Sequence, residues 1–390
     1  MEQRLSWMAE DPSTDPARAW GHFGYFAMTH GGIPNEPYSF TRPAGAAARF
    51  QVARARSPRR KADMAGTIRW GILGTGFIAH LQVADLVANG FSVTAVGSRS
   101  QESADAFAAE FGIPTAHASY DDLVADPNVD IVYVSTPHPF HAENALLALR
   151  AGKHVLIEKP FTLNADEARE VVQAAADANL VVLEALWTRF LPHLARIREI
   201  IAAGTLGEVR SLIADHGQNL PKDPQHRINN RELGGGALLD LGIYPVSLAF
   251  DLFGSPETVH AIAAKTATGV DRQTAMVFGY RDGQQALLHA SLDTAGPNTA
   301  SIIGTEGRIE IDSVWYSPTT FTVFDSTGAV IERYEQAVEH RGMQFQAWEA
   351  ERLIDAGLTS GEILAPEESV RIMETLDEVR RQIDLVYPGE

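Results

Sequence analysis

From residue 67 onward, short apolar runs alternate with longer amphipathic stretches. The runs Ile68–Leu73, Val93–Val96, Ile131–Val134, His154–Ile157 and Leu180–Leu183 predict strands buried on both faces of a parallel sheet. Between them Ile78–Asn89, Ala104–Phe111, His141–Ala151 and Ala165–Ala178 have helical periodicity. Gly90, Gly112 and Gly152 stand where C-terminal caps are wanted. Repeated strand–helix units predict a doubly wound α/β sheet, with ligands at the carboxyl ends of its strands. After Trp187 the pattern changes. Pro192–Ala203 reads as helix, Val209–His216 as strand and Gly236–Phe253 as a longer helix. From Glu257 to about Gln336 the chain alternates as strands do, with turn signals at Arg281-Asp282-Gly283, Gly304–Gly307 and Ser326-Thr327-Gly328. Helices follow at Gln344–Ala356 and Pro366–Leu385. Strands in series with helices at the margins predict an α+β unit on a largely antiparallel open sheet.

The first 66 residues share none of this order. They hold nine Lys/Arg against six Asp/Glu, with Pro, Gly and Ser breakers and an acid-free basic run from Thr41 to Lys61. A disordered extension is expected over 1–66. No apolar segment follows Arg59-Arg60, so a twin-arginine export signal is not expected. Met64, opening MAGTIRWGILG, is an alternative start of translation.

Length and charge narrow the function. A chain of 390 residues holds about two domains. No apolar run approaches the length of a membrane span, and the net charge of −18 disfavours nucleic acid and anionic membrane as partners. Cysteine is absent, which excludes disulfides, thiolate metal sites and thiol nucleophiles. A cytoplasmic location is expected. An anionic cofactor then has to be held locally, by a helix end or a placed arginine.

The local chemistry begins at Thr67–Ala79, TIRWGILGTGFIA. An apolar strand stops at Gly74-Thr75-Gly76 and a helix starts at once through Phe77 and Ile78, the opening unit of a dinucleotide-binding Rossmann domain. Gly76 lets the backbone approach a pyrophosphate, which the unpaired N–H groups of the helix start would hold. The second strand ends in Ser98-Arg99-Ser100 rather than in an acid, a set suited to a 2′-phosphate. NADP is therefore favoured over NAD. After the next strand comes Ser135–His141, STPHPFH. His138 and His141 have no third ligand at metal-site spacing, so no metal is expected, and the loop with Thr136 and Pro137 is read as shaping a nicotinamide pocket. Glu158-Lys159-Pro160 follows a buried strand, where an ammonium is expensive without a task. In RELGGGALLDLGIYP, Arg231–Pro245, Asp240 and Tyr244 lie on one helix face, and Pro245 predicts a kink at Gly242.

GILGTGFIA, EKP and GGGALLDLGIYP, in this order, resemble the glucose–fructose oxidoreductase/inositol dehydrogenase/rhizopine-catabolism family of NAD(P)-dependent oxidoreductases. EALWTRFLP and ILAPEESVRIMETLDEVRRQIDLVYP are similar to the branch of dihydrodiol dehydrogenases and NADP-dependent D-xylose dehydrogenases. The resemblance runs from about Thr67 to the C-terminus and implies a Rossmann domain over 67–186 and a substrate-binding and oligomerisation domain over 187–390. It implies that Lys159 is the catalytic lysine, and that Asp240 and Tyr244 are the family's Asp-x-x-x-His/Tyr pair. Trp187, Arg189 and Phe190 match a motif lining the nicotinamide and substrate. His141 and Glu158 complete the cofactor-binding set, and family members form dimers or tetramers through the open sheet face.

A base has to reach the substrate hydroxyl as the nicotinamide reaches its C–H. Tyr244 is the candidate base, with Lys159 bringing its phenol nearer to working pH and Asp240 orienting a neighbouring hydroxyl or Lys159. Lysine and tyrosine exchanging these roles is equally compatible with the residues. Arg189, His216, Asn219 and Arg231 would add hydrogen bonds to a sugar or cyclic trans-diol. The competing readings are a silent dinucleotide-binding regulator and an oxidoreductase that retains its cofactor under an N-terminal arm.

Overall fold

The computed structural model describes residues 68–390; the extension over 1–66 and the start at Met64 lie outside the described residues. The chain first runs β1 (Arg69–Leu73), α1 (Phe77–Ala88), β2 (Ser92–Gly97), α2 (Gln101–Phe111), β3 (Thr115–His117), α3 (Tyr120–Ala125), β4 (Ile131–Val134), α4 (His141–Arg150), β5 (His154–Glu158), α5 (Ala165–Asp177) and β6 (Val182–Ala185). These six strands are parallel, in the order β3-β2-β1-β4-β5-β6. The order turns back between β1 and β4, which opens a crevice at their carboxyl ends. β6 starts two residues later than the apolar run, because Leu180 closes the end of α5 by donating to the Ala175 carbonyl at 2.9 Å. Three-residue β3 and six-residue α3 are too short to carry a period, and α3 starts where Ser119 accepts from the Asp122 N–H.

The second half runs α6 (Pro192–Ala202), β7 (Val209–Gly217), α7 (Ile243–Phe253), β8 (Thr258–Lys265), β9 (Asp271–Gly279), β10 (Gln285–Ser291), β11 (Ala300–Gly304), β12 (Gly307–Ile311), β13 (Phe321–Asp325), β14 (Val330–Tyr334), α8 (Gln344–Asp355) and α9 (Pro366–Gln382). Its eight strands follow the order β14-β13-β12-β11-β7-β10-β9-β8. Every pairing is antiparallel except that of β7 with β10, which is parallel. Each turn signal closes a hairpin: β9–β10, β11–β12 and β13–β14. One sheet face packs on the core. On the other, register sets Ile213, Leu287 and Val277 in one row, with Ile262 in the next, and all four side chains are exposed.

The last two helices return to the nucleotide-type sheet. α9 packs on α5, and Asp377 accepts the Ala165 N–H at 2.8 Å. α8 lies beside α1: Asp85 accepts the Met343 N–H at 2.8 Å and the Arg341 N–H at 3.4 Å, while Glu351 accepts the Trp70 indole N–H at 2.9 Å. By mean hydropathy, 1.4, the stretch Arg231–Phe253 is long and apolar enough to cross a bilayer, which corrects the reading of apolar runs. Some 83% of its most apolar window is buried inside the molecule, as in a core helix. Ahead of Pro245, the irregularity expected near Gly242 takes the form of a π-helical turn over Leu238–Gly242.

Candidate active site

β1 hands over to α1 through a turn that only glycine fits. Gly74 has φ +105°, and a Cβ there would lie 3.0 Å from the Ser135 hydroxyl. Its N–H is used by the Gly97 carbonyl at 3.0 Å, which ties the turn to β2. Gly76 opens α1 with no side-chain cap and no acid in the first turn, and a Cβ there would meet nothing within 4 Å. Thr75, Phe77 and Ile78 border this open helix end, with Phe77 79% exposed. Free N–H groups facing open space fit a pyrophosphate. At the end of β2, Ser98 is buried and Arg99 exposed. Burial raises the pKa of Tyr120, and the Arg99 guanidinium beside it pulls the other way. The end of β2 thus carries a cation and no carboxylate, as a 2′-phosphate requires.

Lys159 follows β5 and crosses to the π-turn. Its ammonium donates to the Asp240 carbonyl at 2.8 Å and to Asp240 Oδ1 at 3.0 Å. Arg227 reaches the same oxygen at 3.4 Å and His138 Nε2 stands 3.8 Å away. Burial opposes the Asp240 carboxylate, yet Lys159, Arg227 and His138 together hold its pKa far below the usual range. Burial likewise opposes the Lys159 ammonium, but Asp240, Tyr244 and Glu158 raise its pKa above the ordinary value. The ammonium also lies 5.3 Å from the centre of the Tyr244 ring. The Tyr244 hydroxyl accepts the Trp187 indole N–H at 3.0 Å. For this phenol burial dominates: its pKa is raised, with Lys159 and Trp187 offsetting only part. Lys159 thus acts on the phenol in the expected direction, but in the free protein burial outweighs it.

Three elements grip the glycine turn that introduces this helix. His138 Nδ1 donates to the Gly234 carbonyl at 2.9 Å, and the Tyr387 hydroxyl to the Gly235 carbonyl at 2.8 Å. Asp271 accepts the Leu238 N–H at 2.7 Å, so it caps the turn. At Gly236, φ +129°, a Cβ would come 2.2 Å from Asp271 Oδ1. On the sheet side His216 stacks on Tyr316 at 3.6 Å and meets Tyr244 edge-on at 5.0 Å. Gln218 donates to His216 Nε2 at 2.8 Å. Burial lowers the His216 pKa to about 3, and the Leu241 carbonyl, stripped of its α-helical partner by Pro245, acts on the ring the other way.

Several residues singled out from the sequence have other work. Arg189 is 3% exposed and spends its guanidinium on Asp251 at 3.2 Å, Glu368 at 2.8 Å and the Ile363 carbonyl at 2.6 Å. Fixed in that network, it is not free for cofactor or substrate. Glu158 is buried and takes the Tyr133 hydroxyl; burial raises its pKa to about 7. Both ring nitrogens of His141 lie 2.8 Å from carbonyls, those of Pro160 and Thr136, so it ties two active-edge loops together. Arg231 donates to the Val386 carbonyl at 2.7 Å, and Asn219 forms a bridge with Asp293. Thr136 is buried beside exposed Pro137 at the crevice. Sequence reasoning missed Arg227, the approach of His138 to Asp240, and Tyr316; no period or motif marks them, since tertiary folding alone brings them together. Trp187 also walls a neighbouring cavity of about 580 Å³.

Comparison with known proteins places this geometry. Residues 68–186 match the model described as oxidoreductase family, NAD-binding Rossmann fold, and residues 194–310 match the GFO/IDH/MocA C-terminal domain. The chain is 34% identical over 332 residues to trans-1,2-dihydrobenzene-1,2-diol dehydrogenase of Mus musculus, covering 83% of this chain and 99% of that one. The Danio rerio protein of the same name is 33% identical over 329 residues, covering 82% and 98%. Among solved structures, a 3-ketoreductase from Actinomadura kijaniata in complex with TDP-benzene and NADP superposes with TM-score 0.70 at 27% identity, over 81% of this chain and 98% of that one. Aldose-aldose oxidoreductase from Caulobacter crescentus, complexed with glycerol, gives 0.73 at 25% identity, over 81% and 97%.

Proposed function

The chain belongs to the GFO/IDH/MocA family of oxidoreductases, and from that premise we propose that it transfers a hydride between NADP and a CH–OH group of a sugar or cyclic trans-diol. The observation that carries this reading is the Lys159 ammonium, fixed at 2.8 Å and 3.0 Å to Asp240 with the Tyr244 ring beside it. When bound, NADP supplies or takes the hydride at its nicotinamide ring. The α1 turn at Gly74–Ile78 would hold the pyrophosphate, and Ser98 and Arg99 the 2′-phosphate.

Each remaining step falls to a named side chain. Because Trp187 donates to the Tyr244 oxygen, the phenol keeps its own O–H for the substrate. In reduction Tyr244 hands that proton to the carbonyl oxygen; in oxidation its phenolate takes the hydroxyl proton. Lys159 places positive charge where the alkoxide develops. Asp240, held ionised, fixes the ammonium and accepts from a neighbouring substrate hydroxyl. The polar and aromatic surround of His216, Gln218, Tyr316 and Trp187 suits a hydroxylated ring. We also propose a homodimer or homotetramer, supported by the exposed apolar row on the eight-stranded sheet. The test is Lys159→Met, measured by nicotinamide absorbance on aldoses, inositols and trans-dihydrodiols. Hydride transfer should fall by about three orders of magnitude or more while NADP still binds; near-normal turnover would overturn the mechanism.

A further inference from the structure

Trp187, whose indole N–H holds the Tyr244 hydroxyl at 3.0 Å, has a second charged neighbour. The Arg341 guanidinium lies 5.7 Å from its ring centre, within cation–π range. Both residues wall the cavity of about 580 Å³, together with Thr319, Glu335 and His340. That volume is typical of a small-molecule site.

Arg341 is placed rather than trailing. His340 before it has φ +56° and Gly342 after it φ +87°, a bend that a β-branched residue would not adopt. Asp85 accepts the Arg341 N–H at 3.4 Å and the Met343 N–H at 2.8 Å, which anchors both sides of the bend to α1. The guanidinium itself lies over the face of the Trp187 ring. Glu335, the acid on the same wall, is taken by Arg333 at 3.2 Å. Arg341 is exposed at the mouth of this open cavity, where it offers a solvent-reachable cation to an anion in a protein with net charge −18.

The cofactor's pyrophosphate is not that anion. It belongs at the α1 start, and Asp85 lies nine residues past Gly76, about 13 Å further along the helix. A group held beside Tyr244 and a group beside Arg341 would be separated by one indole, that of Trp187. We propose that the cavity receives an anionic substituent of the substrate, a carboxylate or phosphate at the end of a sugar remote from the oxidised carbon. Arg341 is the residue that selects it, through the paired N–H geometry that both anions accept. This rests on the reading of Lys159, Asp240 and Tyr244 as the reacting centre.

The test is calorimetric titration of D-glucuronate, D-glucose 6-phosphate and D-glucose into the full chain with NADPH present, which cannot oxidise them. At least one acid should bind ten- to a hundredfold more tightly than glucose, about the worth of one charged hydrogen bond. The two acids separate carboxylate from phosphate. Arg341→Ala should erase that preference by weakening the acid alone, and Arg341→Lys should recover part of it. Equal binding of acids and glucose, or no binding by either acid, overturns the proposal. So does an Arg341→Ala variant that loses affinity for NADPH instead, because the guanidinium would then serve the cofactor. If an acid binds through Arg341 but NADP oxidises none of the sugars, the site stands and the catalytic reading falls.

Discussion

Lys159 stays charged because Asp240, Tyr244 and Glu158 outweigh its burial, and the same charge keeps Asp240 ionised. Tyr244 has too little such help: Lys159 and Trp187 lower its pKa, but burial outweighs them and carries it above the ordinary phenol value of about 10. At neutral pH it is an acid. The sign for turnover follows: oxidation needs the phenolate, so kcat/KM for oxidation should climb with pH through the alkaline range, while reduction needs the phenol and should not. Steady-state rates from pH 6 to pH 10 check this, and an oxidation plateau already reached at neutrality would assign the proton to another group. Arg99 governs cofactor choice. Arg99→Ala should raise the KM for NADP about ten- to a hundredfold and leave NAD little changed; equal effects on both would remove the assignment. Lys159, Asp240 and Tyr244 were legible because local spacing and strand ends marked them. Arg189 was misread for the opposite reason. Nothing near it in sequence reveals that Asp251 and Glu368 claim its charge.

Elements with a sustained period read cleanly, and those defined by tertiary contacts did not. β4 coincides with its apolar run, and α4 and α5 each end one residue before the boundary expected from periodicity. β6 slid because Leu180 serves the end of α5 before any strand begins. The parallel pairing of β7 with β10 left no trace, since alternation is the same in either sense. Pro245 announced an irregular helix, but the π form depends on what receives the loosened backbone. Asp271 caps the start of that turn and His216 stands by the Leu241 carbonyl, and both come from the sheet beneath. The three glycines at 234–236 are likewise a tertiary device. His138 and Tyr387 bond the carbonyls of two, and Asp271 leaves no room for a Cβ on the third, from three separate parts of the chain.

Across the whole molecule, charge and apolar surface are distributed for different purposes. The acidic excess lies in the chain after residue 66, where Arg99, Lys159, Arg227 and Arg341 are placed singly. The apolar row on the eight-stranded sheet lies on the face away from the core, where the proposed second copy would exclude water. Ile262→Asp, at a position 76% exposed, should convert the proposed oligomer to smaller particles in sedimentation without unfolding it; an unchanged mass would remove this face as a subunit contact. The parallel β7–β10 pairing has a mechanical consequence. Everything from Gln218 to Gln284, the reacting helix included, is one excursion that leaves the far end of β7 and re-enters at the near end of β10, both strands paired in the middle of a sheet. Such a segment behaves as a beam clamped at both supports, unable to swing outward without tearing the sheet it starts from. Admission and release of ligands then fall to motion of the nucleotide-side loops against a stationary anvil.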